Sequence, residues 1–369
     1  MHVLITADTL GGVWTYTREL VSGLARRGVR VTLVSFGEIP TRAQSEWLNA
    51  LPEVDFHPTS FRLEWMQDSQ ADLENSAEYL KALVWEVKPD LLHLSQFFYG
   101  ALPVDVPRLV VAHSDVVSWW VAVHGHEPSG DGWMNWYRDL VTRGLSHATA
   151  VVAPSQWMLD QLATFYLRPA IGRVIYNGRS PELFDPGADK QDCVLSVGRL
   201  WDSGKQVALL TEQSMPVPVC IVGSDVHPHE AFRTGSRRNG TNAGLHFPGS
   251  LSEAKLSAYY SRAAIYAATS RYEPFGLAPV EAALSRCAIV ANDIPTFHEL
   301  WGDAAVYFPR NDPAGLAEMV QHLYSDRHLL ERCANLACER ARARFAADRM
   351  VEEYLALYDA MVPAEVAAA

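Results

Sequence analysis

Short apolar runs with no polar alternation, each followed by an amphipathic stretch of helical period, are what most restricts the fold of this chain. His2–Thr6, Val29–Phe36, Asp90–Leu94, Arg108–Ala112 and Ala150–Ala153 are such runs, while Trp14–Arg26 and Glu74–Val87 carry helical spacing. A strand that is apolar on both faces belongs in a parallel sheet covered by helices on both sides. The pattern restarts at Asp192, with strands at Val194–Val197, Pro218–Val222, Ala264–Ala268 and Ala288–Ala291 and helices over Glu253–Ala263 and Pro274–Ser285. Between the halves, Asn177–Gly187 is rich in turn formers and reads as a linker. The fold class is therefore α/β, with two doubly wound Rossmann-like domains and a boundary near residue 180. The tail from Arg340 to Met361 reads as one long helix, with Ala367–Ala369 frayed.

Length agrees, since 369 residues suit two domains of about 100–200 each. At 49% hydrophobic and 20% charged, the composition is that of a globular protein. The net charge of -12 argues against nucleic acid as a partner and disfavours a membrane surface. The one basic knot near the start, Arg26, Arg27 and Arg30, suits a solvated helix end. The five cysteines all lie in the C-terminal half and form no CxxC pair. That pattern argues against a disulfide framework and a thiolate zinc site, and favours a reducing compartment. No apolar run approaches the roughly 18–20 residues that span a bilayer. The first residues read as a strand, not a signal peptide, so the expected location is cytoplasmic.

Four segments carry chemistry. Ser270–Glu281, SRYEPFGLAPVE, joins a strand to a helix. Pro274 suits the first helical position, and the amides around Phe275, Gly276 and Leu277 would form an anion or hydroxyl site backed by the helix dipole. Glu273 stands just before that end. Glu281 interrupts the apolar face of the helix, where a carboxylate needs a partner. The plain alternative is a helix cap at Glu273 and an ion pair at Glu281. The second segment, Ser196–Lys205, follows a strand and carries Arg199 and Lys205, which could clamp a diphosphate or simply be solvated cations. The third, Asp8–Tyr16, has Gly11-Gly12 after the first strand and lacks the GxGxxG dinucleotide fingerprint. The fourth, Val110–Asp115, ends a strand with His113 and Asp115, which also suit structural hydrogen bonding.

Taken together, Glu273-x7-Glu281, GRL with a following lysine at Gly198–Lys205, the early Gly-Gly, His113 and YNG at Tyr176–Gly178 resemble the retaining GT-B glycosyltransferases of group 1, family 4. The segment Ala304–Leu323 is also similar to that family's C-terminal portion. The resemblance implies two domains facing a central cleft, an acceptor domain at 1–180 and a nucleotide-sugar donor domain at 181–345. It also implies a helix over 346–369 that crosses back to the first domain. Glu273 would hydrogen-bond the donor sugar and Glu281 the ribose. Arg199 and Lys205 would neutralise the diphosphate, and the Phe275, Gly276 and Leu277 amides would bind sugar hydroxyls and phosphate. Gly11 and Gly12 would line the phosphate and acceptor side, with His113 beside the donor sugar. Base contacts are expected at Gly223 and at the Pro248–Leu251 turn, through Ser250 and Leu251. Gln206 departs from the pattern, because the family often has Lys-Gly where this chain has Lys205-Gln206.

The implied activity is transfer of a hexose from a UDP- or GDP-linked donor to a hydroxyl acceptor, without metal or other cofactor. No DxD stands at a strand end, and the pairs His124/His126 and His227/His229 read as loop residues. Three aromatic groups, Phe97–Tyr99, Ser118–Trp120 and Trp133–Tyr137, are expected mostly in the core, with any exposed face offering a surface for a sugar. An epimerase, a phosphorylase and a non-catalytic nucleotide-sugar-binding protein remain open alternatives.

Overall fold

A computed structural model describes residues 1–225 and 244–362. His227, His229 and Ala367–Ala369 lie outside the described residues. The chain divides into two compact units. One comprises Met1–Val121, His126–Gly178 and the stretch from Ala347; the other comprises Ala122–Gly125 and Arg179–Ala346.

Unit 1 holds strands β1 (His2–Asp8), β2 (Arg30–Phe36), β3 (Asp55–Pro58), β4 (Leu91–Leu94), β5 (Arg108–Val111), β6 (Ala150–Ala153) and β7 (Gly172–Val174). They form one parallel sheet in the order β3-β2-β1-β4-β5-β6-β7. The helices are α1 (Gly12–Arg26), α2 (Arg42–Ser45), α3 (Gln70–Val87), α4 (Val116–His124), α5 (Gly132–His147) and α6 (Gln156–Phe165). Successive side chains in a strand point to opposite faces. Leu4, Leu92 and Val110 enter one core, and Val3, Ile5, Leu91, Leu109 and Val111 enter the other. Both faces are covered, which is why these strands show no polar alternation.

Unit 2 has strands β8 (Gln191–Val197), β9 (Val219–Val222), β10 (Leu245–Gly249), β11 (Ala263–Ala268), β12 (Ala288–Asn292) and β13 (Ala305–Phe308). Their order is β10-β9-β8-β11-β12-β13, again parallel. The helices are α7 (Leu209–Glu212), α8 (Glu253–Arg262), α9 (Leu277–Leu284), α10 (Pro295–Trp301), α11 (Pro313–Ser325) and α12 (Arg327–Arg344). In each sheet the strand order reverses beside the first strand, at β1/β4 and at β8/β11, and open α/β sheets bind ligands at such points.

The tail is not one helix. Helix α12 stops at Phe345, and α13 (Ala347–Met361) begins two residues later. The Phe345 ring is fully buried, edge-on to Phe275 at 5.3 Å and to Trp301 at 5.4 Å. Its carbonyl accepts from the Arg179 amide at 2.9 Å, and Ala346 bridges Arg179. These tertiary contacts take the backbone groups that a continuous helix would have used. Helix α13 then contributes Met350, Val351, Tyr354 and Tyr358 to the core of unit 1. Nor does Pro274 take the first helical position. Helix α9 starts at Leu277, because Gly276 occupies the cap position at φ 90°, a backbone that side chains rarely tolerate.

Candidate functional site

In unit 2 the loops after β8 and β11 meet at the reversal point. The Arg271 and Tyr272 amides donate to Gly204 O at 2.9 and 3.3 Å, and Thr269 Oγ1 donates to Lys205 O at 2.8 Å. Lys205 Nζ then reaches Glu273 Oε2 at 2.6 Å, and Ser270 Oγ donates to the same oxygen at 2.9 Å. Among the described residues both hydrogen bonds to this carboxylate use Oε2, which leaves Oε1 without one. Arg199 is anchored differently. Its guanidinium donates to Asp202 Oδ2 at 2.7 Å and covers the Trp201 ring at 5.0 Å, while Asp202 Oδ1 accepts the Gly204 amide at 2.8 Å. At 45% exposed, the Arg199 side chain faces solvent with donors to offer.

Gly223 ends β9 beside this loop. A Cβ there would lie 1.7 Å from the Gly198 carbonyl oxygen, so the two strand ends can close only on a glycine. Its amide donates to Gly249 O at 3.1 Å, next to Ser250, which is exposed, and Leu251, which is half-buried. Arg199, Lys205, Gly223, Ser250, Leu251, Glu273, Phe275, Gly276 and Leu277 therefore all follow the C-terminal ends of β8 to β11. The Phe275 ring is buried in the core, leaving its backbone as the polar part. The orphan amides at the start of α9 are those of Gly276, Leu277 and Ala278, since Pro279 has none.

Glu281 has a protein partner. Its Oε1 lies 2.9 Å from Nε of Arg179, whose side chain is 1% exposed and also reaches Glu253 at 2.7 Å. That is the plain explanation for a carboxylate on an apolar helix face. Burial, followed by the nearby Glu281 carboxylate, drives the Tyr260 phenol pKa well up.

In unit 1, Gly11 caps α1 and both Gly11 and Gly12 are exposed at the end of β1. His113 follows β5, with Nε2 3.4 Å from Ser95 Oγ after β4 and its ring 4.7 Å from Tyr16 of α1, edge-on. Burial lowers the His113 pKa to about 3, which keeps the imidazole neutral. Asp115 is buried and structural: it accepts from Ser118 N at 2.8 Å and Tyr166 OH at 2.8 Å. Phe97, Tyr99 and Tyr137 lie in the core, and Trp133 stacks on Tyr137 at 5.5 Å. His124 ends α4 and so is not a loop residue, whereas His126 is in the following loop. Among the described residues, no group of three or more His, Cys, Asp or Glu could hold a metal ion.

Sequence reasoning missed Asp202, Ser270 and Asn292. Asn292 is fully buried at the end of β12, where its Nδ2 donates to Thr269 O at 3.4 Å, Ser270 O at 3.2 Å and Asn311 Oδ1 at 3.0 Å. A polar residue closing the apolar run AIVAN was the available signal.

Two family models tile the chain: Glycosyltransferase Family 4 over residues 10–183 and Glycosyl transferases group 1 over residues 185–340. A lipopolysaccharide core biosynthesis mannosyltransferase, LpcC, from Rhizobium leguminosarum bv. viciae is 31% identical over 38% of this chain and 42% of its own length. The match thus spans less than half of that relative. Among solved structures, a sucrose-phosphate synthase from Thermosynechococcus elongatus superposes with a TM-score of 0.78 at 20% identity, covering 98% of both chains. HepE from Anabaena, solved with UDP and glucose, gives 0.74 at 17% identity, covering 97% of this chain and 99% of that one. With two parallel-sheet domains of this kind and both family models matched in order, the chain belongs to the group 1 glycosyltransferases of GT-B fold.

Proposed function

We propose that this enzyme is a retaining, metal-independent hexosyltransferase that uses a UDP- or GDP-linked sugar and a hydroxyl acceptor. The observation that carries the reading is the pair of cations, Arg199 and Lys205, set with Glu273 at the strand-order reversal of unit 2. Cleavage of the sugar–phosphate bond places negative charge on the departing diphosphate. Arg199, Lys205 and the first amides of α9 are suited to stabilise that charge, most strongly in the transition state. They supply the positive charge that a divalent ion provides in other transferases, so transfer proceeds in EDTA. The acceptor oxygen bonds to the anomeric carbon on the face the diphosphate leaves, and its proton passes to the leaving phosphate oxygen. Glu273, held by Lys205 and Ser270, accepts a donor-sugar hydroxyl through Oε1 and is not a nucleophile. Glu281 binds the ribose while keeping its bond to Arg179. Gly11, Gly12 and His113 serve the phosphate and acceptor side, with His113 next to the transferred sugar.

A relative named as a mannosyltransferase and a solved structure holding UDP and glucose support a hexose donor, the second of them a UDP-linked one. No described helix is long and apolar enough to cross a membrane, and the five cysteines are free, which suits a reducing compartment. The test is a thermal-shift panel of UDP, GDP, ADP, TDP and CDP in EDTA, followed by NMR of the product anomer. A ligand at about 100 times its Kd adds roughly 2.7 kcal/mol, so one diphosphate should raise Tm clearly. No shift with any diphosphate, or an inverted product, overturns the reading. Turnover of the sugar without an acceptor would point to an epimerase instead.

A further inference from the structure

His93 is a buried histidine for which the proposed chemistry has no direct use. It sits in β4, fully enclosed, and both ring nitrogens are engaged. Nε2 lies 3.0 Å from the Tyr16 hydroxyl of α1, and Nδ1 lies 2.6 Å from the Tyr358 hydroxyl of α13. Burial lowers its pKa to about 3, with a smaller contribution from His113. A neutral imidazole has one N–H and one bare nitrogen, so one tyrosine donates to the ring and the other accepts from it. The result is a directed chain from α13 through β4 to α1.

The Tyr16 and His113 rings then meet in a T-shaped pair at a centroid distance of 4.7 Å and an interplanar angle of 70°. Tyr16 also meets Tyr354 of α13 at 6.1 Å, and His93 meets the same ring at 5.1 Å. The His113 ring has Ser95 Oγ as its only recorded hydrogen-bond partner among the described residues, at a long 3.4 Å. One long hydrogen bond holds a ring weakly, so its orientation depends on the packing of Tyr16. The Tyr16 hydroxyl, in turn, bonds to His93 and also interacts with the Tyr354 side chain.

We propose that Tyr358, His93 and Tyr16 act as positioning residues that set the orientation of the His113 ring, so that the C-terminal helix takes part in the site of unit 1. The catalytic consequence rests on the role given to His113 above; the positioning itself does not. Removing the Tyr358 hydroxyl frees one side of the His93 ring, loosens Tyr16 and lets His113 sample other rotamers.

The test is Tyr358→Phe in the full chain with 13C-labelled histidine, with the His113 ring signal assigned by its loss in His113→Ala. Positioning predicts that the His113 signal shifts or splits in Tyr358→Phe while Tm stays near that of the wild type. An unmoved His113 signal overturns the proposal. If Tyr358→Phe folds poorly, Tyr16→Phe provides the same readout, because it keeps the ring and removes only the hydroxyl. Release of nucleoside diphosphate from UDP-glucose and GDP-mannose gives the second arm. There kcat should fall roughly tenfold, within the ~10²-fold that a 1 Å misplacement can cost, and should not fall further when His113→Ala is added. Losses that multiply in the double variant count against action through His113. A wild-type rate in His113→Ala alone would remove His113 from the chemistry and leave the NMR result standing by itself.

Discussion

Arg179 and Glu281 form an ion pair at 2.9 Å in which the arginine side chain is 1% exposed, although neither residue belongs to a loop of the candidate site. Removing one partner of a buried pair leaves the other charge uncompensated. Glu281→Ala should therefore lose about 3 kcal/mol of stability, the low end of the usual range because Glu253 still reaches the guanidinium. Urea unfolding without nucleotide measures this. Wild-type stability in the variant would mean that the pair carries no weight, and any nucleotide-binding loss could then be assigned to the ribose contact alone.

Lys205 and Glu273 meet at 2.6 Å, and both side chains keep some exposure. Glu273→Gln keeps the shape and removes the charge. Loss of one preorganised polar group at a reacting centre costs about 10²-fold in kcat. Initial rates with the donor identified by the nucleotide panel should show a drop of that size, with Tm within a few degrees of wild type. A rate unchanged from wild type would take Glu273 out of the sugar site.

Gln206 has φ 49°, the left-handed region, at the position where the family often has glycine. Its Oε1 is buried and accepts no hydrogen bond among the described residues. A non-glycine residue in this conformation is strained by roughly 1–2 kcal/mol. Gln206→Gly is expected to stabilise unit 2 by about 1 kcal/mol, offset in part by the entropy of glycine, whereas Gln206→Val should destabilise it. Denaturant midpoints of the two variants moving in the same direction would refute the strain.

Gly223→Ala places a methyl carbon 1.7 Å from the Gly198 oxygen. That overlap forces the ends of β8 and β9 apart. The expected result is loss of nucleotide binding with a lowered melting temperature. A variant that melts and binds like the wild type would show that the strand ends can separate freely.

His113 supplies a pH signature. Its pKa is about 3 in the fold against 6.5 for the free side chain. Between those values the unfolded chain binds the extra proton, so stability falls as pH drops below 6.5, by about 1.4 kcal/mol per pH unit for each such group. His93 acts in the same sense. Glu64 opposes them. Burial raises its pKa to about 7 against the pull of the Phe98 and Phe97 amides, so it favours the fold as pH falls. His113→Gln should flatten the stability profile between pH 6 and 4.5 by about one proton. An unchanged slope would show that His113 is charged or solvated in the fold.

The sequence revealed the strands at the centre of each sheet but not those at its margins. β1, β4, β5, β6, β9, β11 and β12 are buried on both faces and read directly as apolar runs. The missed strands β3, β7, β10 and β13 are the four sheet edges, and their residues are mostly half-buried or exposed. With one neighbour instead of two, an edge strand needs no continuous apolar run, so periodicity has little to register. The same limit applies to the site. Glu273, Lys205 and Arg199 stand at strand ends and could be picked out, whereas Asn292, marked in sequence only as a polar end to an apolar run, reaches the Thr269 and Ser270 carbonyls from the neighbouring strand, a pairing that no local spacing encodes. The break between α12 and α13 is hidden in the sequence for a related reason. Helical spacing continues through Phe345, and tertiary contacts interrupt it: the packing of that ring and the pairing of its carbonyl and of Ala346 with Arg179.

Helix α13 also affects how the protein is made. The second unit is complete in sequence once Ala346 has been added. The first unit to be synthesised cannot finish its core until Met350, Val351, Tyr354 and Tyr358 emerge. Domains usually mature in the order of translation. Here the N-terminal unit waits for α13, and a nascent chain stalled before Ala347 would carry every residue of the second unit and an unsealed first.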